Sequence, residues 1–179
     1  MLASSQLSNL PDTGFAPGVT SQITEQPDYL TYQKLGNLWL EIPAVGLKSN
    51  IVGVNFLGAS WDLTWLNNQI GWLEGSAYPT WEGNTVLTAH TYTPDGLPGP
   101  FIGLSLLKYG QEVIIHANGM QYFYSIRSNN LVNANATQWI SKHEDDDWIT
   151  LINCQQYDQN SKSYRFRRIV RAELTKVVE

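Results

Sequence analysis

Past residue 36 the apolar residues come in short runs, and Gly, Pro or Asn closes most of them. Punctuation of this kind favours a sheet built from many short strands. Leu38–Ile42 is stopped by Pro43, and Leu47–Val54 ends near Gly53. Asn84–His90 carries the consecutive apolar pair Val86-Leu87. Gln111–Ala117 and Gln121–Arg127 flank Asn118-Gly119, a dipeptide suited to the positive φ angles of a type I′ turn, so a hairpin is predicted there. Asp147–Cys154 and Tyr164–Lys176 are the last two predicted strands. Three stretches carry helical signals instead. In Trp61–Ile70, Leu63, Leu66 and Ile70 recur at three- and four-residue spacing before Gly71. Pro100–Lys108 has Pro at its first turn and Gly110 just beyond it, and Thr137–Lys142 reads as one helical turn. No internal repeat is evident. The pattern predicts a mixed, mostly antiparallel β-barrel with a few small helices.

The first 36 residues read differently. The stretch SSQLSNLPDTGFAPGVTSQITEQPDY holds three Pro, two Gly and many Ser, Thr and Gln, with no helical or strand period. It is expected to be a tail, residues 1–36, ordered only if it docks on the domain formed by residues 37–179. Met1 is followed by Leu-Ala-Ser-Ser, without a basic and then an apolar stretch, so no signal peptide is read here. No run of about eighteen apolar residues spans a membrane. With 179 residues and 42% hydrophobic content, the chain can bury one sizeable core. The net charge of −5 and the lack of a Lys/Arg cluster shaped for phosphates argue against a nucleic-acid partner. Seven Trp and nine Tyr suit either a β core or a peptide or sugar groove. The acidic run Glu144-Asp145-Asp146-Asp147 reads as a solvated loop cap; carboxylates from one loop rarely complete a cation's shell, and no metal is expected.

One cysteine, Cys154, rules out an intramolecular disulfide. It follows the apolar run Trp148–Asn153 and precedes polar Gln155-Gln156, a strand end where a thiol can meet solvent and substrate rather than serve as buried filler. A reactive thiol needs a base or cation to favour the thiolate. Of the three histidines, His116 sits within a strand and His143 beside the acidic run, whereas His90 stands at a polar strand end like Cys154. Side-by-side strand ends would bring the two together. Charge that develops when a thiolate attacks an amide must also be held, and arginine suits this. In the last strand Arg165, Arg167, Ile169 and Arg171 share one face and Phe166, Arg168, Val170 and Ala172 the other, so spacing alone leaves the choice of arginine open.

These elements together resemble the sortase family. Thr150-Leu151-Ile152-Asn153-Cys154 is similar to the sortase signature TLxTC, Thr88-Ala89-His90 to the segment carrying the family histidine, and Arg167–Ala172 to the family's last strand. The resemblance covers roughly residues 38–178 in the family's order. It implies a sortase-like closed β-barrel and a cysteine transpeptidase that anchors surface proteins. On it, Cys154 is the nucleophile and His90 the acid and base. Arg167 is the arginine, with Arg168 one register step away as the alternative. Asn153, Thr150 and Ala89 are expected to help bind substrate. Asn153 departs from the family threonine, which puts the fit of substrate beside the nucleophile in doubt. The implied substrate is an LPxTG-type signal cut between Thr and Gly. The acyl group would pass to an amine of peptidoglycan or a pilin-like protein, with no cofactor. The implied location is the outer side of the cell membrane, with membrane contact only through a removed N-terminal anchor.

Leu10-Pro11-Asp12-Thr13-Gly14 is itself a full LPxTG match, at the wrong end of the chain for a sorting signal. The expectation is a pseudosubstrate that can occupy the groove of its own molecule or a neighbour's; the alternatives are a true substrate and coincidence. Two other readings compete for the whole chain. One is a cell-wall cysteine amidase or L,D-transpeptidase acting on muropeptides, and the other a non-enzymatic β domain binding glycan or peptide.

Overall fold

The computed structural model describes residues 7–179. Eight strands close into a barrel in the order β1-β2-β3-β4-β7-β8-β6-β5. They are β1 Gln33–Ile42, β2 Leu47–Val54, β3 Ile70–Leu73, β4 Gly83–Thr88, β5 Glu112–Ala117, β6 Met120–Asn133, β7 Asp147–Asp158 and β8 Ser163–Val178. Two neighbouring pairs, β2–β3 and β4–β7, are parallel and the other six are antiparallel. The expected mixed, largely antiparallel closed barrel is the fold observed. Closure leaves no free edge to recruit another chain.

The β5–β6 hairpin turns at Asn118 and Gly119, whose φ values of 52° and 85° are those the dipeptide was chosen for. One helix, α1 Gln138–Ser141, forms where the helical turn was predicted, and Pro100–Lys108 contributes only a short 3₁₀ turn at Leu104–Leu106. The helical spacing in Trp61–Ile70 misleads. The segment is a series of turns, with Leu66 N–H on the Leu63 carbonyl and Gln69 N–H on the Leu66 carbonyl. Three-residue turns bury Leu63 and Leu66, and Ile70 is buried as the first residue of β3, so together they mimic the spacing of a helix.

Strand alternation sorts the core into two layers. Leu40, Leu87, Ala89, Leu151, Val170 and Ala172 point into the barrel. Val86, Ile152 and Ile169, one residue away from Leu87, Leu151 and Val170 on β4, β7 and β8, point outward and are covered by Leu63, Leu66 and Ile140. Leu7 and Leu10 of the N-terminal segment join this outer layer. The segment expected to be a tail therefore docks, and β1 already begins at Gln33, within it.

Candidate functional site

β4, β7 and β8 are neighbours, and their registers bring the predicted residues to one place. Parallel β4 and β7 pair Thr88 with Ile152, so two residues further on His90 follows beside Cys154. Antiparallel β7 and β8 pair Cys154 directly with Arg167. Pleating then sets the face: Cys154 is two residues from outward-facing Ile152, and Arg167 two from outward-facing Ile169. Thiol, imidazole and guanidinium thus share the outer side of the wall, under the N-terminal segment. Contrary to expectation, Cys154 does not end its strand. β7 runs on to Asp158, because Gln155–Asp158 pair with Phe166–Ser163 and Arg165 bonds the Asp158 carboxylate.

The segment crosses all three groups. The Leu10 side chain is buried in the outer apolar layer, and its N–H bonds the Ala134 carbonyl at 2.6 Å. Arg167 Nε donates to the Pro11 carbonyl at 2.8 Å, and Nη1 to the Tyr164 and Phe166 carbonyls. Thr13 N–H donates to Cys154 Sγ at 3.0 Å, while Sγ donates to Asp12 Oδ1 at 3.3 Å. The Thr13 carbonyl accepts from Thr91 N–H at 3.2 Å, and Thr88 Oγ1 donates to Thr13 Oγ1 at 3.4 Å. At Gly14 (φ +154°) an added Cβ would lie 2.9 Å from the Tyr164 ring. Phe15 N–H bonds the Tyr92 carbonyl, and its own carbonyl accepts from Tyr164 Oη at 2.7 Å. The Phe15 ring tilts over His90 at 5.2 Å between centroids. A cleft of about 530 Å³ opens beside the segment, lined by Asp12, Phe15, Trp61, Leu63 and His90 among others.

This cover changes the electrostatics. Burial pushes the Cys154 thiol up to about 12; Arg167 and the Thr13 N–H oppose the rise, and Asp12 adds to it. Burial likewise pulls His90 down to about 4, against the opposing influence of the Thr64 and Leu63 main chain and Asp12. Neither ring nitrogen makes a hydrogen bond of normal geometry among the described residues. With the segment seated, thiol and imidazole are both neutral around pH 7. Among the described residues no group of three or more His, Cys, Asp or Glu is arranged to hold a metal ion. The acidic run is dispersed: Glu144 pairs with Arg171 and Lys142, Asp145 with His143, and Asp147 accepts from Tyr124.

Arg168, the alternative arginine, sits on the opposite face with Nη1 on Asn129 Oδ1, away from the thiol. The three residues expected to bind substrate stand behind the groove rather than in it. Alternation turns Ala89 into the barrel core and Asn153 inward, where its amide donates to the Phe101 carbonyl. Thr150 faces outward but donates to Asn84 and accepts from Arg171. None of the three hydrogen-bonds Leu10–Gly14. Sequence reasoning missed Thr88, Thr91 and Tyr164. Thr88 shares the His90 face by alternation and could have been found from it; Thr91 contributes its main-chain N–H, which alternation does not flag. Tyr164 joins the site only through the β7–β8 turn.

The family model for the sortase domain matches residues 40–175. The chain belongs to the sortase family. Among solved structures, sortase C from Clostridium perfringens with the C-terminal cell wall sorting motif is 26% identical, with a TM-score of 0.64 over 85% of this chain and 77% of that one. Sortase C-1 from Actinomyces oris is 25% identical, with a TM-score of 0.62 over 78% and 73%. Sortase A from Corynebacterium diphtheriae is 26% identical, with a TM-score of 0.63 over 78% and 60%. No curated protein matches the sequence. The protein is thus a sortase transpeptidase, a cysteine enzyme of the cell envelope, and the muropeptide-hydrolase and non-enzymatic readings fall away. No described helix of this sortase is long and apolar enough to cross a membrane.

Proposed function

We propose that this sortase cuts an LPxTG-type signal between Thr and Gly, with Cys154 as nucleophile, His90 as acid and base, and Arg167 as the substrate-holding cation. The observation that carries this reading is the fit of Leu10–Gly14 to the groove. Each motif residue meets a matching feature: apolar cover for Leu10, the Arg167 guanidinium for the Pro11 carbonyl, a closed hydroxyl-lined pocket for Thr13, and a ring that tolerates only Gly at position 14. The x position, Asp12, accepts from the sulfur and is otherwise exposed.

In this reading a signal displaces the segment and brings its Thr carbonyl to Sγ. The sulfur–carbon bond forms and the Thr–Gly bond breaks, while His90 takes the thiol proton and passes it to the departing glycine amine. Thr91 N–H faces the carbonyl oxygen where negative charge develops, which is where a fixed donor lowers the barrier most. Among the described residues Arg167 has no carboxylate partner, so its charge supports both the thiolate and the bound main chain. The thioester then passes to an amine on peptidoglycan or on a pilin-like protein, at the outer face of the membrane. An anchor preceding the tail would hold the enzyme there.

Incubating the protein with an LPxTG peptide and a glycine-based amine tests this. The expected product ends at Thr joined to the amine, and Cys154→Ala yields none. Amine transfer at another bond, or transfer by Cys154→Ala, would refute the assignment.

A further inference from the structure

We infer that the Thr13–Gly14 bond is itself a substrate of this active site, so that the enzyme acylates Cys154 with its own N-terminal segment. The inference rests on the roles proposed above for Cys154 and His90.

The segment does more than block the groove. Thr13 N–H is on Sγ at 3.0 Å, which sets the sulfur against the residue whose carbonyl would be attacked, two covalent bonds from the carbonyl carbon. The carbonyl oxygen is not free: it accepts from Thr91 N–H, the fixed donor beside the histidine. On the leaving side, Gly14 is followed by Phe15, whose ring lies over His90. Nucleophile and oxyanion donor therefore flank one peptide bond, His90 lies under the ring of the residue that follows it, and that bond is the Thr–Gly of a complete LPxTG sequence.

The step balances without a co-reactant. Cys154 Sγ bonds to the Thr13 carbonyl carbon, the Thr13–Gly14 bond breaks, and the thiol proton reaches the Gly14 amine through His90. Residues 1–13 become a thioester on Cys154, and Gly14 becomes a free N-terminus in the same polypeptide. That new amine does not diffuse away. Phe15 is held by Tyr92 and Tyr164, Gly18 N–H by the Gly96 carbonyl and Ser21 N–H by the Pro94 carbonyl. A tethered amine at high effective concentration re-forms the peptide bond faster than water reaches the thioester. The segment thus cycles between intact and acyl-enzyme forms, and it is lost only when another nucleophile intervenes.

Hydroxylamine is small enough to supply that nucleophile. The full-length protein is incubated with it and followed by intact mass and N-terminal sequencing. The expected products are a chain beginning at Gly14 and a peptide of residues 1–13 ending in a Thr13 hydroxamate; Cys154→Ala gives neither. Gly14→Ala, whose Cβ would press on Tyr164, is expected to slow product formation at least ~10-fold, since misplacing reacting atoms is costly. The rate per molecule should not depend on protein concentration, and a rate that rises with it would overturn the intramolecular assignment. The control arm is Leu10→Asp, which ejects the segment from its apolar seat, assayed alongside wild type on an external LPxTG peptide. Turnover of that peptide by Leu10→Asp while the wild-type tail stays intact in hydroxylamine refutes self-acylation and leaves the sortase reading standing. No turnover of either refutes both.

Discussion

Two arginines stand four residues apart on the same face of β8, each only 4% exposed, yet they are held in opposite ways. Arg171 donates to the Glu144 carboxylate at 2.8 Å and to Thr150 Oγ1, and its guanidinium lies 4.6 Å from the centre of the Trp148 ring. Its charge is neutralised by Glu144, from the loop before β7, over the wall residues Thr150 and Trp148. Among the described residues Arg167 meets only carbonyl oxygens, one of them from the N-terminal segment. Carbonyls satisfy its N–H groups but leave its charge uncompensated, and that charge acts on the thiol. Equal burial on one strand face therefore does not mean equal roles. The kind of partner separates a wall-building arginine from one available to a substrate.

The largest effect that could break this distinction is on catalysis. Arg167→Ala is expected to lower kcat/KM on an LPxTG peptide by about 10²–10³-fold, the scale for losing a transition-state donor, while the folded barrel persists. Arg171→Ala should do the reverse. It leaves Glu144 with only the more distant Lys142 as a cation and should cost about 1–3 kcal/mol of stability, read as a fall in Tm, with turnover per folded molecule nearly unchanged. Equal losses of turnover in the two variants, measured on folded protein, would erase the distinction.

A smaller effect sharpens the Arg167 end. Asp12 opposes Arg167 across the sulfur: it raises the thiol's pKa where the guanidinium lowers it. Asp12→Asn keeps the shape and removes the charge, so the thiol's pKa should fall and its alkylation by iodoacetamide near pH 8 should speed up several-fold, because each unit means about tenfold more thiolate. Unchanged alkylation would mean that burial alone sets the thiol. The seat of Leu10 limits how often the segment lifts; fully burying one leucine is worth about 1.5–3 kcal/mol.

Much of this arrangement was legible in the sequence, for a simple reason. Strand alternation has a period of two, so once β8 was recognised, Arg167 and Arg171 had to share a face and Arg168 had to oppose them. Asn118-Gly119 fixed a hairpin through local backbone preference alone. The LPDTG segment could be read because it is a motif, and its fit to the groove could not, because docking depends on pockets assembled from distant strands. Two failures have different origins, one in a distant partner strand and one in alternation left unapplied. The end of β7 was set at Cys154 on polarity, but polar Gln155–Asp158 remain in the ladder because β8 offers them partners. Asn153 was assigned to the groove because it adjoins the nucleophile, yet adjacent strand residues face opposite sides, and its amide braces the Phe101 carbonyl.

The smallest expected effect belongs to the Arg171 end and concerns pH. Asp147 opens β7, buried beside Tyr124, whose hydroxyl lies 3.0 Å from both carboxyl oxygens. Burial raises Asp147 from 3.8 to about 7, with the Tyr124 hydrogen bond opposing the rise and Glu82 adding to it. The raised value means that the folded state prefers the protonated acid. Its contribution is complete below pH 4, the unfolded value, and is lost as pH rises towards 7, where the folded barrel must ionise a buried group. Stability should therefore decline by about 1–2 kcal/mol between pH 4 and pH 7 on this account, allowing for relaxation around the charge. Asp147→Asn should flatten that decline, as read by denaturant midpoints across the range. It should leave the alkylation rate of Cys154 unchanged, because Asp147 sits at the far end of the strand from the sulfur. A variant that altered thiol reactivity while leaving the stability profile as steep as before would mean that the two ends of this wall are not electrostatically separate, and the contrast between the two arginines would lose its basis.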